Sequence, residues 1–254
     1  MNKQATPVLP RKAGMAQKKW RPVMYSLHKF AGLALLAWLP LSGASAAAQR
    51  VISIDPARAD KPGFMVIIDE PGHYQLAGNL KVADPNTTAI EINADNVTLD
   101  LHGYAIQGPT RCQQLPAPCW PLGGGNGIHA VNRSHITIRN GIVQGMGNYG
   151  IYLETNSASL DHVVVSRNGR GGAVLFGGAI SNSAAENNGG DGIFGIDLKV
   201  SRNAMRGNQH FGLAAYAQSS FSNNRLSANN GNAAQTNLKS AASAGNTCNA
   251  SACP

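Results

Sequence analysis

Three charged residues recur at one place in a repeated text. The stretch Asp95-Asn-Val-Thr-Leu-Asp-Leu-His-Gly103 is similar to Ser134-His-Ile-Thr-Ile-Arg-Asn-Gly141, and the pattern continues through Ser159-Leu-Asp-His-Val-Val-Val165. Superposing them sets Asp100, Arg139 and Asp161 at one position, with His102, Asn140 and His162 beside them. A carboxylate–guanidinium–carboxylate stack flanked by imidazoles has the parts of a lyase centre, with Arg or His as the base. The structural alternative is a ladder of opposite charges on neighbouring strands, in which Arg139 relieves the repulsion between two Asp. The alternative is preferred, and the same reading applies to Glu186 and Arg206, which align one repeat apart.

A second set of residues could bind without reacting. A Gly followed by an apolar residue opens a short strand at Gly127-Ile128, Gly150-Ile151, Gly172-Ala173, Gly192-Ile193 and Gly212-Leu213. If the apolar residues point inward, their successors form two outward columns. The first is His129, Tyr152, Val174, Phe194 and Ala214; the second is Val131, Glu154, Phe176, Ile196 and Tyr216. Aromatic side chains on an outer face mark an interaction surface, and flat rings at repeat spacing suit sugar rings, with His129 and Glu154 as hydrogen-bonding groups. The competing readings are a face covered by the tail or by an inserted loop, and a one-residue slip that turns the columns into core. The insert, Pro109–Asn126, contributes Trp120 as a further stacking candidate, or as a residue packed under a disulfide-pinned flap.

The elements that position these groups follow from the period. The Gly-apolar steps are 23, 22, 20 and 20 residues apart, and Asn168, Asn188, Asn208 and Asn230 form a parallel column. A helical hairpin repeat needs more residues and tolerates less Gly and Asn. A leucine-rich repeat would show a Leu-x-x-Leu-x-Leu text that is missing here. Two or three four-residue strands per repeat, separated by Asn, Gly and Ser turns, stack instead as coils about 4.8 Å apart. The expected fold is all-β: a right-handed, single-stranded parallel β-helix of about seven coils over 64–231, roughly 34 Å long at that spacing. Stacked Asn amides can hydrogen-bond to their copies on the next coil, and Asn also tolerates the left-handed turn conformation. Composition agrees: 13% of the 254 residues are charged, 6% are aromatic and 29 are Gly. That excludes a coiled coil, and 43% hydrophobic residues exclude wholesale disorder.

A resemblance then becomes specific. Glu70-Pro-Gly-His-Tyr-Gln-Leu-Ala-Gly-Asn-Leu80, Asn96-Val-Thr-Leu-Asp-Leu-His-Gly103 and the closing Gly245-Asn-Thr-Cys-Asn-Ala-Ser-Ala-Cys-Pro254 resemble exported bacterial right-handed β-helix repeat proteins of the pectate-lyase-like superfamily. The resemblance implies the fold and, much less, an activity, since this fold hosts lyases, hydrolases, epimerases, adhesive modules and proteins of unknown role. The family's catalytic texts are missing. There is no Asp-Asp pair with Gly-His-Gly, no Arg-x-Pro-x-x-Arg run and no Asp-Pro-His-Asp.

The charge of +8 belongs to the N-terminus. Residues 1–48 hold seven basic and no acidic residues, leaving 14 Lys and Arg against 13 Asp and Glu beyond them, so no nucleic-acid partner is expected. Lys18, Lys19, Arg21 and Lys29, the apolar run Phe30–Leu41 and the small residues Ser42–Ala48 read as a secretory signal peptide with a long leading region. The chain then has an N-terminal extension or cap at 49–63, the β-helix at 64–231 and a tail at 232–254. Export to the periplasm or cell exterior is expected, with membrane contact only during transit. All four Cys follow the leader as Cys112/Cys119 and Cys248/Cys253, where short spacings favour local disulfides. No cofactor or metal is expected. Neither Cys pair has metal-ligand spacing, and Asn188–Gly195 is one imperfect copy of a calcium-binding Gly-Asp repeat that works in tandem. The preferred function is polysaccharide or cell-surface glycan binding. The alternatives are a polysaccharide lyase or hydrolase with an atypical site at Asp100, Arg139, Asp161 and His162, and a structural or adhesive module that docks another protein; the oligomeric state stays open.

Overall fold

The computed structural model describes residues 51–54, 63–113, 118–238 and 245–253; the expected leader lies outside them. Three parallel faces run along one β-helix. The first, face A, stacks Val66, Ile90, Ile128, Ile151, Ala173, Ile193, Leu213 and Thr236 in register. The second, face B, stacks Ile52, Tyr74, Leu99, Ile138, Leu160, Ile180, Val200 and Phe221. The third, face C, stacks Leu80, Ile106, Val143, Val165, Ala185, Met205, Leu226 and Cys248.

Among the described residues each face therefore has eight rows, one more than the repeat text indicates. Val51–Ile54 supplies the first row of face B, and Thr247–Cys248 supplies the last row of face C. The helix thus starts before Phe64 and continues past Gly231. Its inward residues, such as Ile90, Leu99, Ile128 and Leu226, are fully buried, and each contributes about 1.5–3 kcal/mol by leaving water.

Single residues turn the corners. From face B to face C the chain turns at His102, Asn140, His162, Asn182, Arg202 and Asn223, all with φ between 49° and 58°. From face C to face A it turns at Arg167, Asn187, Gly207 and Ala228. The residue after each of these points into the core, and that is where the buried ladder lies: Asn168, Asn188, Asn208, Asn229, then Gln235. Two expectations change here. The fourth rung is Asn229 and not Asn230, because the last coil advances 21 residues from Asn208. The ladder Asn are also not the left-handed residues; that role falls to the residues before them.

Each rung satisfies the next. The backbone and side-chain N–H groups of Asn168 both donate to Asn188 Oδ1 at 3.1 Å, while Asn188 Nδ2 donates to Val165 O at 3.1 Å and Asn208 Oδ1 at 2.8 Å. The Gly column makes room for this. A Cβ on Gly150, Gly192 or Gly212 would lie 2.6–2.7 Å from the Nδ2 of Asn168, Asn208 or Asn229. A second ladder, Asn203, Asn224 and Asn246, follows the corner between faces B and C, and ties the tail to the last full coil.

Replacing one rung should be expensive. Asn188→Ala removes the acceptor of the Asn168 backbone and side-chain N–H groups and the side-chain donor to Val165 O and Asn208 Oδ1, all away from water, at on the order of 3 kcal/mol. Urea denaturation should show a large fall in midpoint for this variant and a small one for the exposed corner variant Asn187→Ala.

Candidate functional site

On face A the two outward columns stand side by side in register. His129, Tyr152, Val174, Phe194 and Ala214 are paired row to row, as are Val131, Glu154, Phe176, Ile196 and Tyr216. The rings form one run that steps between the columns. Centroids are 5.4 Å apart for His129–Tyr152, 6.2 Å for Tyr152–Phe176, 6.5 Å for Phe176–Phe194 and 5.7 Å for Phe194–Tyr216. These separations fall in the range of favourable aromatic pairs. The rings of His129, Tyr152, Phe176 and Phe194 are half-buried and Tyr216 is 48% exposed. Val174 and Ala214 face outward too, yet are buried beside the larger side chains.

Polar groups gather at one end of this run. His129 Nδ1 sits 2.8 and 3.0 Å from the two oxygens of Glu91, one row below. The Tyr152 hydroxyl donates to Glu154 Oε2 at 3.4 Å, and burial, then the Glu154 charge, pushes its pKa up. Glu91 was not singled out by the repeat reading, because the insert stretches the step from Ile90 to Ile128 and hides the row. The signal was present in Thr88-Ala-Ile-Glu-Ile92, where two inward Ile flank an outward Glu.

The charge column lies on face B. Asp100, Arg139 and Asp161 are paired in adjacent rows. Arg139 Nε donates to Asp100 Oδ2 at 2.9 Å, and Asn140 Nδ2 reaches both Asp100 oxygens at 3.2 Å. Asp161 instead accepts from Ser181 Oγ and Asn182 Nδ2, both at 2.7 Å, and its other oxygen lies 2.7 Å from His162 Nδ1. Burial raises the Asp100 pKa, but the His102 N–H, Asn140 and Arg139 outweigh it, and the net direction is down. Asp161 is likewise held low, burial being outweighed by Ser181, Asn182 and His162. Both carboxylates have their oxygens engaged, and His102, Asn140 and His162 are corner residues. Arg139 pairs with Asp100 alone, so the column is one ion pair followed by a separately held carboxylate and not a continuous ladder.

The insert straddles the corner between faces C and A. Its Cys112–Cys119 disulfide sits over the ladder, with both sulfurs 3.8–3.9 Å from Asn168 O. Trp120 is 77% exposed and Leu122 51% exposed, so Trp120 is not packed beneath the loop. Leu122 borders a depression on the side of face A, with Asn86, Asn148, Tyr149 and Arg170. Tyr149 lies 5.8 Å from Tyr152 and joins this depression to the ring run. In its described residues the tail extends face A edgewise, where Asn237 bonds the backbone of Ala215. The second disulfide, Cys248–Cys253, closes the tail on the last coil.

The family model of the right handed beta helix region matches residues 118–248. The chain belongs to the right-handed β-helix family. No curated protein matches it. Among solved structures, the A-module of the mannuronan C-5 epimerase AlgE4 of Azotobacter vinelandii is similar at 12% identity and a TM-score of 0.41, over 74% of this chain and 70% of that one.

In this right-handed β-helix the sequence-derived residues fall on separate surfaces. His129, Tyr152, Glu154, Phe176, Phe194 and Tyr216 share face A, Trp120 stands on the insert, and Asp100, Arg139, Asp161 and His162 lie along face B. Among the described residues no three His, Cys, Asp or Glu side chains converge as a metal site. The Asp100–Arg139 pair on face B has a pH signature. A carboxyl held low in the folded state stabilises the fold above its unfolded value of about 3.9, and that stabilisation disappears as pH falls through the lower folded value. Asp100→Asn should therefore be less stable at neutral pH, and should lose less of its remaining stability on acidification than the parent. Melting curves across the acid range check this.

Proposed function

We propose that the chain is an exported glycan-binding β-helix that holds an extended polysaccharide along the ring run of face A. The observation that carries this reading is the unbroken series His129, Tyr152, Phe176, Phe194, Tyr216, partly open to solvent over five rows. Rings supply stacking area, and Glu154, Glu91 and His129 supply hydrogen-bonding groups for hydroxyls. Tyr149, Arg170 and exposed Trp120 extend the surface toward the insert. The leader-like residues 1–48 and two disulfides support export, since disulfides persist in oxidising compartments.

A second reading is favoured by one observation. Glu91 holds His129 Nδ1, and an imidazole oriented by a carboxylate beside a Tyr hydroxyl can serve as a general base. In that reading the same face binds a polysaccharide and also removes a proton from it.

Purified protein with both disulfides formed, incubated with uronic-acid and neutral polysaccharides, separates these readings. Binding without shortened or altered chains is the expected result, and new oligosaccharides abolished by His129→Ala would favour the enzyme. Tyr152→Ala combined with Phe194→Ala should weaken binding by at least about tenfold, the value of one ring contact of about 1.4 kcal/mol, with little change in melting. A collapse in melting temperature instead would make the rings structural and remove the reading.

A further inference from the structure

Face C carries a separate feature. Three depressions run along it and share lining residues. The first, about 630 Å³, lies between the coil face and the insert stem and includes Lys81, Gln107, Arg111, Gln144 and Arg167. The second, about 310 Å³, includes Gln113, Arg167, Glu186 and Arg206. The third, about 520 Å³, includes Glu186, Arg206 and Arg225. Arg167 joins the first two, and Glu186 with Arg206 joins the last two. The outward column beneath them is Lys81, Gln107, Gln144, Ser166, Glu186, Arg206 and Ser227. Six steps of about 4.8 Å make a trough of about 29 Å, which is polymer length.

Its charge is one-sided. Five cations, Lys81, Arg111, Arg167, Arg206 and Arg225, line the three depressions against a single carboxylate, Glu186. Beyond residue 48 the chain is nearly neutral, so this is segregation and not an overall excess. All five cations are exposed, and among the described residues none forms an ion pair, although Arg139 on face B does. Glu186 and Arg206 are paired row to row but make no such contact. Arg111 is oriented by bonds to Gly108 O and Thr110 O. Guanidinium groups on a rigid surface bind carboxylate and sulfate with two parallel bonds. Gln107 and Gln144 add amides for hydroxyl groups. Among the described residues no aromatic side chain lines the trough, so it lacks the stacking surface that single-stranded nucleic acids use.

We infer that the face C trough is a binding lane for a linear anionic polysaccharide, whose carboxylates or sulfates pair with Arg167, Arg206 and the flanking cations. It is independent of the aromatic face and separated from it by the disulfide-pinned insert. Two substitutions remove charge while copying neighbouring coils. Arg167→Asn places at a left-handed corner the residue that Asn187 already provides one coil on, and Arg206→Ser copies its row partner Ser227.

The test measures affinity of the full protein for polygalacturonate, dextran sulfate, neutral dextran and single-stranded DNA at low and moderate salt. Expected is salt-sensitive binding of polygalacturonate or dextran sulfate, their ratio telling carboxylate from sulfate, with no binding of dextran. The double variant should lose at least tenfold of the salt-sensitive binding, and Glu186→Gln should gain a few-fold. Equal affinity of the double variant and parent, with melting unchanged in both, overturns the proposal. So does DNA binding that exceeds both polysaccharides. Loss of anionic binding in Tyr152→Ala would also overturn it, assigning the ligand to face A.

Discussion

The interlock of a buried amide with a missing Cβ sets the geometry of this molecule. At the corner between faces C and A, every coil must satisfy its inward backbone groups without water. Asn168, Asn188, Asn208 and Asn229 do so by bonding to each other and to the preceding coil. The amides fit only because Gly150, Gly172, Gly192 and Gly212 leave the adjoining space empty. An amide that is half satisfied in a core costs more than an apolar side chain in its place. The ladder therefore tolerates neither a slip nor a change in coil length at this corner, and the registers of all three faces inherit that constraint.

Strict register turns sequence into lines. A residue type that recurs every 20 to 22 positions becomes a stripe parallel to the axis, with neighbours about 4.8 Å apart. A sheet of hairpins would scatter such residues; here they accumulate. Rings gather on face A, alternating acid and base on face B, and cations with amides on face C. Linear arrays on a rigid support match linear ligands better than compact ones, since the polymer meets similar contacts in each coil and little loop ordering opposes binding.

Much of this was legible in the sequence, and the parts that were not have physical reasons. The fold, the two outward columns and the Asp100–Arg139–Asp161 alignment follow from side-chain alternation and a regular period, both local properties. The first row escaped because it carries no Gly or Asn signature, and the last because its Gly245-Asn246 falls outside the Gly-apolar period of face A. Among the described residues Val51–Ile54 pairs with one strand, and Thr247–Cys248 closes with a hairpin strand at Ser251–Ala252. Glu91 escaped because the insert lengthens one coil and breaks the period. The repeat text points to Asn230 where the rung is Asn229, as two adjacent Asn are indistinguishable without the coil length. The face C trough was invisible for a different reason. Its cations come from a strand, the insert stem and a corner, so no single column contains them.

The insert is the one element that the repeat does not dictate, and its position gives it consequences for both candidate surfaces. It sits on the corner above Asn168, held by Cys112–Cys119, with Gly189 directly under the Cys119 sulfur and Gly169 against Leu122. A Cβ at either Gly would also run into the carbonyl oxygen of the neighbouring coil, Gly169 O or Gly147 O, so both the stacking and the seat of the insert require Gly here. From that ridge Arg111 and Gln113 form a wall of the face C trough, while Leu122 borders the depression that leads to Tyr149 and the rings. One covalently closed loop thus contributes a polar wall to one face and an apolar wall to the other.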